Sequence, residues 1–231
     1  MNARDVTRRE FIKTAGAITV AGSVPVGLAK AAFASDPGTA QTRTEGTRVS
    51  NHFDVERFVE DVQRANADGQ RAVGEVLARA ISNPSQVLAA LGEPTEAGVQ
   101  VLHRSAELTV LNVIWAPLMV LLPHNHNMWA SIGIYGGRED NIFWKRDGAA
   151  VEAVRAASLK AKEVFPLGKD GIHSVINPID RLTGAIHIYG GDFFAPGRSE
   201  WDAETLTERP FDIEGLQGRF KAANERARYK G

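Results

Sequence analysis

The spacing of the hydrophobic residues changes near residue 100 of the chain. Before that point, apolar side chains recur at intervals of three and four residues, the period of an amphipathic helix. One set is Val55, Phe58, Val59 and Val62, and a second is Val73, Val76, Leu77, Ala80 and Ile81. Asn83 and Pro84 end the second set, and residues 84–91 predict a short third helix. We expect these helices to pack on a larger domain, because about 40 residues rarely form a stable core alone.

From residue 100 onward the period is two, which predicts short β-strands. The predicted strands are residues 101–103, 108–115, 130–135, 141–145, 151–158, 163–167, 172–176 and 185–189. Glycine, proline, aspartate and asparagine separate them, and many short strands at this spacing predict a sandwich or barrel. Residues 151–162 also suit a helix, because they are rich in alanine. Residues 214–229 predict a closing helix with a charged outer face.

The first 34 residues have the features of an export signal. The pair Arg8-Arg9 lies in a segment that resembles the twin-arginine motif, and Ala32-Phe33-Ala34 resembles a cleavage site. The apolar run between them is too short, and too rich in glycine and threonine, to span a membrane. We therefore expect the twin-arginine machinery to export the protein to the periplasm, with no membrane span after signal removal.

These patterns divide the chain into four parts. Residues 1–34 are the predicted signal peptide, and residues 35–52 are a polar, flexible linker. Residues 53–98 form a helical extension, and residues 99–231 form the main domain.

The charge balance and the lack of cysteine exclude several classes of function. The chain has 27 Lys and Arg against 28 Asp and Glu, without a basic stripe, so we expect no nucleic-acid partner. It has no cysteine, which excludes disulfides, a thiolate zinc site and a cysteine nucleophile. The absence of thiols also suits an oxidising compartment.

The run Pro123-His124-Asn125-His126 carries the strongest chemical signal. It lies in the strand-rich region, where residues two apart point to the same face of a strand. Two imidazoles would therefore project into one cavity, as in a metal site. Two further histidines, His173 and His187, lie within predicted strands.

Several of these residues follow a known pattern. The His-x-His pair, a strand with Gly137, Pro166-x-Gly168 and His173-x-x-x-Asn177 together resemble the two conserved motifs of the cupin superfamily. The resemblance covers residues 108–194. It implies a mainly β fold, a cupin jelly roll or double-stranded β-helix, here with N-terminal helices and a C-terminal helix.

The resemblance also implies a ligand set. Most metal cupins carry a Glu shortly after the His-x-His pair, where this chain has Ala130 or Ser131. This leaves His124, His126 and His173, a three-histidine set that resembles the thiol dioxygenase branch, typified by cysteine dioxygenase. Residues 171–177 and 185–189 resemble the Gly-Leu-His-Arg-Val-Glu-Asn and Ser-Leu-His-Leu-Tyr runs of that branch.

The implied function is oxygenation of a small molecule, such as a thiol, by Fe(II) and O2. His187 and Tyr189 would orient the reactants. The chain also resembles an uncharacterised group of predicted metal-dependent cupin enzymes that carry Pro-His-x-His-x-x-Trp-Ala and Tyr-Gly-Gly-Arg-Glu-Asp. The ligands alone do not select the metal. A cupin isomerase or hydrolase with Mn, Ni or Zn therefore stays open, as does a non-enzymatic cupin that binds a small ligand.

The substrate end of the site is less defined. Arg104 falls near the carboxylate-binding Arg of cysteine dioxygenase, although it could also be a surface residue at a strand end. Trp129 could line the mouth of the pocket, whereas Trp115 suits packing in the barrel wall. The charged residues 138–140 follow two glycines, which predicts a β-turn. Alternatively, these residues could form an ion pair at the rim of the pocket. Cupins often pair through sheet edges, so a homodimer is also expected.

Overall fold

Three helices precede the strands in the computed structural model, which describes residues 52–228. They are α1 (Val55–Asn66), α2 (Gln70–Ala80) and α3 (Pro84–Leu91). The Asp54 carboxylate caps α1 by accepting a hydrogen bond from the Arg57 amide at 2.8 Å. No helix within residues 52–228 is long and apolar enough to cross a membrane. The predicted signal and the linker up to residue 51 lie outside the described residues.

Eleven strands and one helix follow within the described part of the chain. The strands are β1 (Gly98–Arg104), β2 (Thr109–Trp115), β3 (Val120–Asn125), β4 (Ala130–Gly136), β5 (Arg138–Asp147), β6 (Ala150–Lys160), β7 (Val164–Leu167), β8 (Ile172–Ile176), β9 (Thr183–Tyr189), β10 (Ser199–Trp201) and β11 (Glu208–Pro210). The last helix is α4 (Ile213–Arg228).

The strands form two antiparallel sheets. One has the order β1-β2-β9-β4-β7, and the other has the order β11-β10-β3-β8-β5-β6. Strands β2 to β9 therefore have the order of an eight-stranded jelly roll, with β2-β9-β4-β7 in one sheet and β3-β8-β5-β6 in the other. The predicted fold class, a jelly roll with helices at both ends, is confirmed by this strand order.

The two faces of the first sheet have different partners. Leu111, Val113 and Trp115 belong to the core cluster inside the roll, whereas Val110 and Ile114 pack with the N-terminal helices. Helix α2 lies so close to β4 that a Cβ on Gly133 would collide with Leu77 and Ile81. The helices thus cover the outer face of this sheet. The boundary at residue 98 between extension and main domain stays a prediction.

Helix α4 packs against the interior of the roll. Its Leu216 and Phe220 join the inner core cluster, and the Phe220 ring stacks on Trp115 with ring centroids 5.5 Å apart. Asn224 exchanges hydrogen bonds of 2.8 and 2.9 Å with the backbone of Ala97, which precedes β1. Arg219 donates to the buried carboxylate of Glu200 on β10.

One local expectation is wrong, because residues 138–140 are not a turn but the start of β5. Residues 199–201 and 208–210 form two further short strands that the periodicity did not predict. Residues 151–162, which suited either structure, lie mostly in strand β6.

Candidate metal centre

Three buried histidines converge inside the roll. His124 on β3 lies opposite His173 on the neighbouring strand β8, and His126 follows directly after β3. One potential ligand atom from each side chain lies within 4.8 Å of the other two. The side chains are 1–3 % exposed. The structure thus brings together the three residues that the sequence pattern singled out.

The hydrogen bonds of these rings leave nitrogen lone pairs free. His124 Nδ1 lies 2.9 Å from the Leu122 carbonyl, which can only accept, so the proton is on Nδ1 and the lone pair is on Nε2. In the same way, His173 Nδ1 donates to Asn141 Oδ1 at 2.7 Å. His173 Nε2 is buried and has no hydrogen-bond partner among residues 52–228.

A metal ion suits these atoms. The Nε2 atoms of His124 and His126 are only 3.1 Å apart, although both can be lone-pair donors. A buried acceptor without a partner is costly, and a divalent cation would satisfy all three nitrogens at once. The donor set therefore fits a metal, and imidazole nitrogens suit iron, zinc, copper and nickel alike.

The three imidazoles are neutral near pH 7. Burial lowers the pKa of His124 to about 3, and nearby positive charges add to this effect. Burial, together with the neighbouring histidines, also lowers the pKa of His126 and of His173 well below the usual value. Neutral imidazole is the form that binds metal.

The Glu of most metal cupins has no acidic replacement here. Ala130 belongs to the inner core cluster with Tyr189, whereas the Ser131 hydroxyl lies near Gly74 of helix α2. The inward position is therefore Ala130. Within the described residues, the group of potential ligands contains histidines alone.

A buried carboxylate lies two hydrogen bonds behind the histidines. Glu139 is fully buried, and its oxygens accept from Asn141 Nδ2 at 3.0 Å and from Trp115 Nε1 at 2.7 Å. Asn141 in turn holds His173. Burial would raise the pKa of Glu139, but His187, Asn141 and Trp115 outweigh it and lower that pKa. An ionised carboxylate thus supports His173, a candidate metal ligand, through Asn141.

Sequence reasoning missed this role of Glu139 because it assigned residues 138–140 to a turn. The signal was present in the alternation of Glu139, Asn141 and Phe143, which all face inward on β5. Arg138 and Asp140 occupy the opposite face, where they form an ion pair at 2.8 Å. Period-two alternation places all five residues correctly once they are assigned to a strand.

His187 and Tyr189 lie next to the histidine group. His187 Nδ1 is 3.1 Å from the Tyr189 hydroxyl, and His187 Nε2 is 3.4 Å from a Glu139 oxygen. The Tyr189 ring also contacts His126, with centroids 4.9 Å apart. Burial raises the pKa of Tyr189, so its hydroxyl stays protonated and can donate a hydrogen bond. His187 is not part of the three-histidine group.

The histidines border a small apolar cavity. Its volume is about 20 Å³, compared with about 10–15 Å³ for a site that holds a single water. Its lining is Val99, Leu111, Val113, Trp115, Leu121, His124, His173, Val175, His187, Tyr189, Phe193, Phe211, Leu216 and Phe220. This space suits a ligand of a few non-hydrogen atoms.

The two expected substrate residues lie elsewhere. Arg104 is about half exposed, and its Nε and Nη2 donate to Asp192 at 2.9 and 2.8 Å. It is therefore paired with a carboxylate, and its contact with a substrate stays a prediction. Trp129 packs against Gly190 and the cluster of the N-terminal helices, outside the cavity lining. Trp115 lines the cavity instead.

No family model matches the chain. Similar solved structures include an uncharacterised double-stranded β-helix protein from Klebsiella pneumoniae, with 10 % identity, a TM-score of 0.36 and coverage of 52 % of this chain and 88 % of that one. An RmlC-like cupin from Methanocaldococcus jannaschii has 10 % identity, a TM-score of 0.37 and coverage of 44 % and 86 %. A variant of oxalate decarboxylase from Bacillus subtilis has 11 % identity, a TM-score of 0.36 and coverage of 45 % and 28 %. The assignment of the fold therefore rests on the strand order itself.

Proposed function

We propose that the protein is an enzyme that holds Fe(II) through His124, His126 and His173 and uses O2 to oxygenate a small thiol. The observation that carries this proposal is the buried group of three neutral histidines with the His187–Tyr189 pair beside it. A bound Fe(II) would supply open coordination positions for a thiolate and for O2.

The reaction balances without a further reductant. A thiol and one O2 give a sulfinic acid, with both oxygen atoms in the product. Sulfur loses four electrons, and O2 gains them. The site therefore needs no second substrate to supply electrons.

The side chains around the cavity have separate tasks. The apolar wall, which includes Trp115 and Phe220, excludes water from the reacting atoms. The Tyr189 hydroxyl would contact the reactants, and the hydrogen bond with His187 Nδ1, 3.1 Å away, fixes the position of this hydroxyl. Glu139 and Asn141 hold His173.

We further propose that the twin-arginine route exports the protein in its folded state. Residues 7–13 and the small-residue site 32–34 support this proposal. Export after folding would allow the metal to be inserted in the cytoplasm. Cell fractionation of the full chain and of an Arg8→Lys, Arg9→Lys double variant tests the route, and equal export of both would contradict it.

The test of activity combines metal content with O2 uptake. The protein is purified without O2, its metals are counted by elemental analysis, and O2 uptake is followed with a panel of small thiols after Fe(II) loading. We expect stoichiometric iron, thiol-dependent uptake and a sulfinate product that carries two oxygen atoms from labelled O2. Tightly bound zinc or manganese without uptake would contradict the proposal.

Two variants separate ligands from orienting residues. His173→Ala should lose the metal, whereas His187→Ala should keep it and lose about 10²-fold in rate, because misplaced reactants react slowly. His103→Ala, on β1 and outside the histidine group, is the control and should change neither quantity. Metal loss in His187→Ala would instead make His187 a ligand.

A further inference from the structure

The wall of the histidine cavity meets solvent at one strand. Val99 on β1 lines the cavity and is nevertheless 39 % exposed. It pairs with Val113 of β2, whose side chain belongs to the core inside the roll, and residues directly opposite each other point to the same face of a sheet. The other lining residues are buried, except Phe211, which is partly buried. The side chain of Val99 therefore lies between the cavity and solvent.

An ion or a small molecule that enters the folded protein must displace part of this wall, because the clustered histidines are 1–3 % exposed. The strands of the wall resist displacement. Strands β2, β3, β8 and β9 each have a hydrogen-bonded neighbour on both sides. Moving any of them would break two ladders of backbone hydrogen bonds. The movable part must therefore lie outside the sheets.

Helix α4 is the larger part of the wall that belongs to neither sheet. Its Leu216 and Phe220 close the cavity, and Phe220 stacks on Trp115. Apolar contacts of this kind are not directional, so a helix can leave them and return as a unit. Phe193 also lies outside the sheets, but its amide donates to the Thr109 hydroxyl of β2 at 3.0 Å, which holds its loop.

Two polar contacts fasten the C-terminal half of α4 beside Val99. The Asn224 side chain accepts from the amide of Ala97 at 2.8 Å and donates to the carbonyl of Ala97 at 2.9 Å. Arg228 donates to Glu96 at 3.1 Å, and both of these side chains are exposed. We call the Asn224–Ala97 pair the latch, since Ala97 precedes Val99 by two residues.

The N-terminal half of α4 is held more firmly than the C-terminal half. Arg219 donates two hydrogen bonds, of 3.0 and 2.9 Å, to the fully buried carboxylate of Glu200. A charge-assisted pair with two hydrogen bonds is stronger than the neutral amide pair of the latch. Helix ends also open at lower free energy than the interior of a structure. Movement of α4 would therefore begin at its C-terminal end.

We propose that the entrance to the histidine cavity lies between Val99 and residues 220–228, the C-terminal half of α4, and that this half-helix is its movable cover. Opening breaks the latch and lifts Phe220 from Trp115, which connects the cavity to solvent beside β1. The entrance serves whatever the histidines bind, so this inference goes beyond the proposed function and does not depend on a thiol or on iron.

Cobalt(II) loading of the metal-free protein tests the entrance without turnover. Visible absorption follows uptake, and an excess of EDTA drives release. Because the chain has no cysteine, the double variant Ala97→Cys, Asn224→Cys contains a single pair of thiols, and its disulfide fastens the cover. We expect the oxidised variant to load and release cobalt at least tenfold more slowly, and reduction to restore both rates. The Kd should change less than threefold, because a closed cover slows both directions equally.

Two further substitutions examine the latch and the position of the entrance. Asn224→Ala removes the latch and should speed both uptake and release at least threefold. Val99→Trp narrows the entrance and should slow both. Val101→Trp is the matched control, because Val101 is on the same face of β1 and is 47 % exposed but does not line the cavity.

Amide hydrogen exchange gives a readout that needs no metal. In the metal-free protein, the oxidised disulfide should slow exchange in residues 220–228 at least tenfold and exchange in residues 213–217 much less. Equal slowing of the two halves would contradict opening from the C-terminal end.

A second disulfide serves as the control for general stiffening. Gly74→Cys with Ser131→Cys would fasten α2 to β4 outside the roll, where a Cβ on Gly74 would lie 4.0 Å from Ser131 Oγ. This disulfide should leave both cobalt rates unchanged, and equal slowing by the two disulfides would overturn the inference. Unchanged rates in the oxidised latch variant, or equal effects of Val99→Trp and Val101→Trp, would also overturn it. Circular dichroism establishes folding, and Asn224→Ala decides the question if the cysteine pair does not fold.

Discussion

Two of the three clustered histidines are oriented by the atom that accepts their Nδ1 proton. A carbonyl oxygen orients His124, whereas the side chain of Asn141 orients His173. These two supports differ in how they respond to mutation, because a backbone carbonyl remains after any substitution. The amide of Asn141 is the replaceable support, and it leads on to the buried carboxylate of Glu139.

Substitution of Asn141 by Ala should weaken metal binding by about 10- to 100-fold, because His173 loses the acceptor that fixes its ring and its tautomer. Competition with a chromophoric chelator measures the affinity. Asn112→Ala is a matched control, since Asn112 is also buried and bonds Tyr135 and Gln100, away from the histidines. Equal losses in both variants would contradict the assigned role of Asn141.

Replacement of Glu139 by Gln should also lower metal affinity, by about tenfold, because the buried negative charge behind His173 disappears. The new amide would place donors where Asn141 and Trp115 already donate, which costs about 1–3 kcal/mol of stability. Chelator competition and urea unfolding measure the two effects. Asp140→Asn, on the outward face of the same strand, should change neither by much, and the same affinity loss there would exclude a specific role for Glu139.

At the level of elements, a buried charge cluster connects α4 to the second sheet. Glu200 on β10 is fully buried and accepts from Arg219 of α4 and from Arg209 of β11. Glu200 also lies opposite His124 in the strand pairing. The helix that contributes Leu216 and Phe220 to the cavity wall is thus connected to the strand that pairs with His124.

Glu200→Gln should destabilise the protein by about 1–3 kcal/mol, because charge-assisted hydrogen bonds to two arginines are lost. Urea unfolding at pH 7 measures the change. The same substitution at Glu208, whose partner Arg146 is about half exposed, should cost less than about 1 kcal/mol. A larger loss at Glu208 than at Glu200 would contradict this ranking.

Sequence patterns predicted the long elements and the histidine group, but not every element around them. Strands β2 and β9 are buried along their whole length, and their apolar residues made them recognisable as strands. The spacing of the apolar residues from Val55 to Val62 fits a helix alone. Strands β10 and β11 have three residues each, too few for a period to appear. The guanidinium of Arg198 is buried, and its nitrogens have no hydrogen-bond partner within residues 52–228. This could not be predicted, because it depends on the rings of Phe193 and Phe211 packing on that one side chain.

At the scale of the whole molecule, the histidine group makes stability depend on pH. The lowered pKa values mean that the unfolded chain, with histidine pKa values near 6.5, binds more protons than the folded protein below that pH. Stability is therefore highest above about pH 7 and falls as the pH drops. The pKa of the Glu139 carboxyl is lowered from 4.5, so this group adds a further loss of stability only when the pH falls below 4.5.

The metal-free protein should lose unfolding free energy between pH 6.5 and 5, at up to about 1.4 kcal/mol per pH unit for each buried histidine. Guanidinium unfolding at a series of pH values measures the slope. His173→Gln should make the curve shallower, whereas His103→Gln should leave it unchanged. A flat curve in the unmodified protein would contradict the burial of three neutral imidazoles.

The pairing of His124 with His173 across β3 and β8 has a mechanical consequence. An ion held by both residues would be a cross-link between adjacent strands in the middle of a sheet. The two strands could then separate only after the ion had left, so local opening would become as slow as metal release. Amide hydrogen exchange in β3 and β8 should therefore slow on metal loading far more than exchange in β1, at the edge of the other sheet.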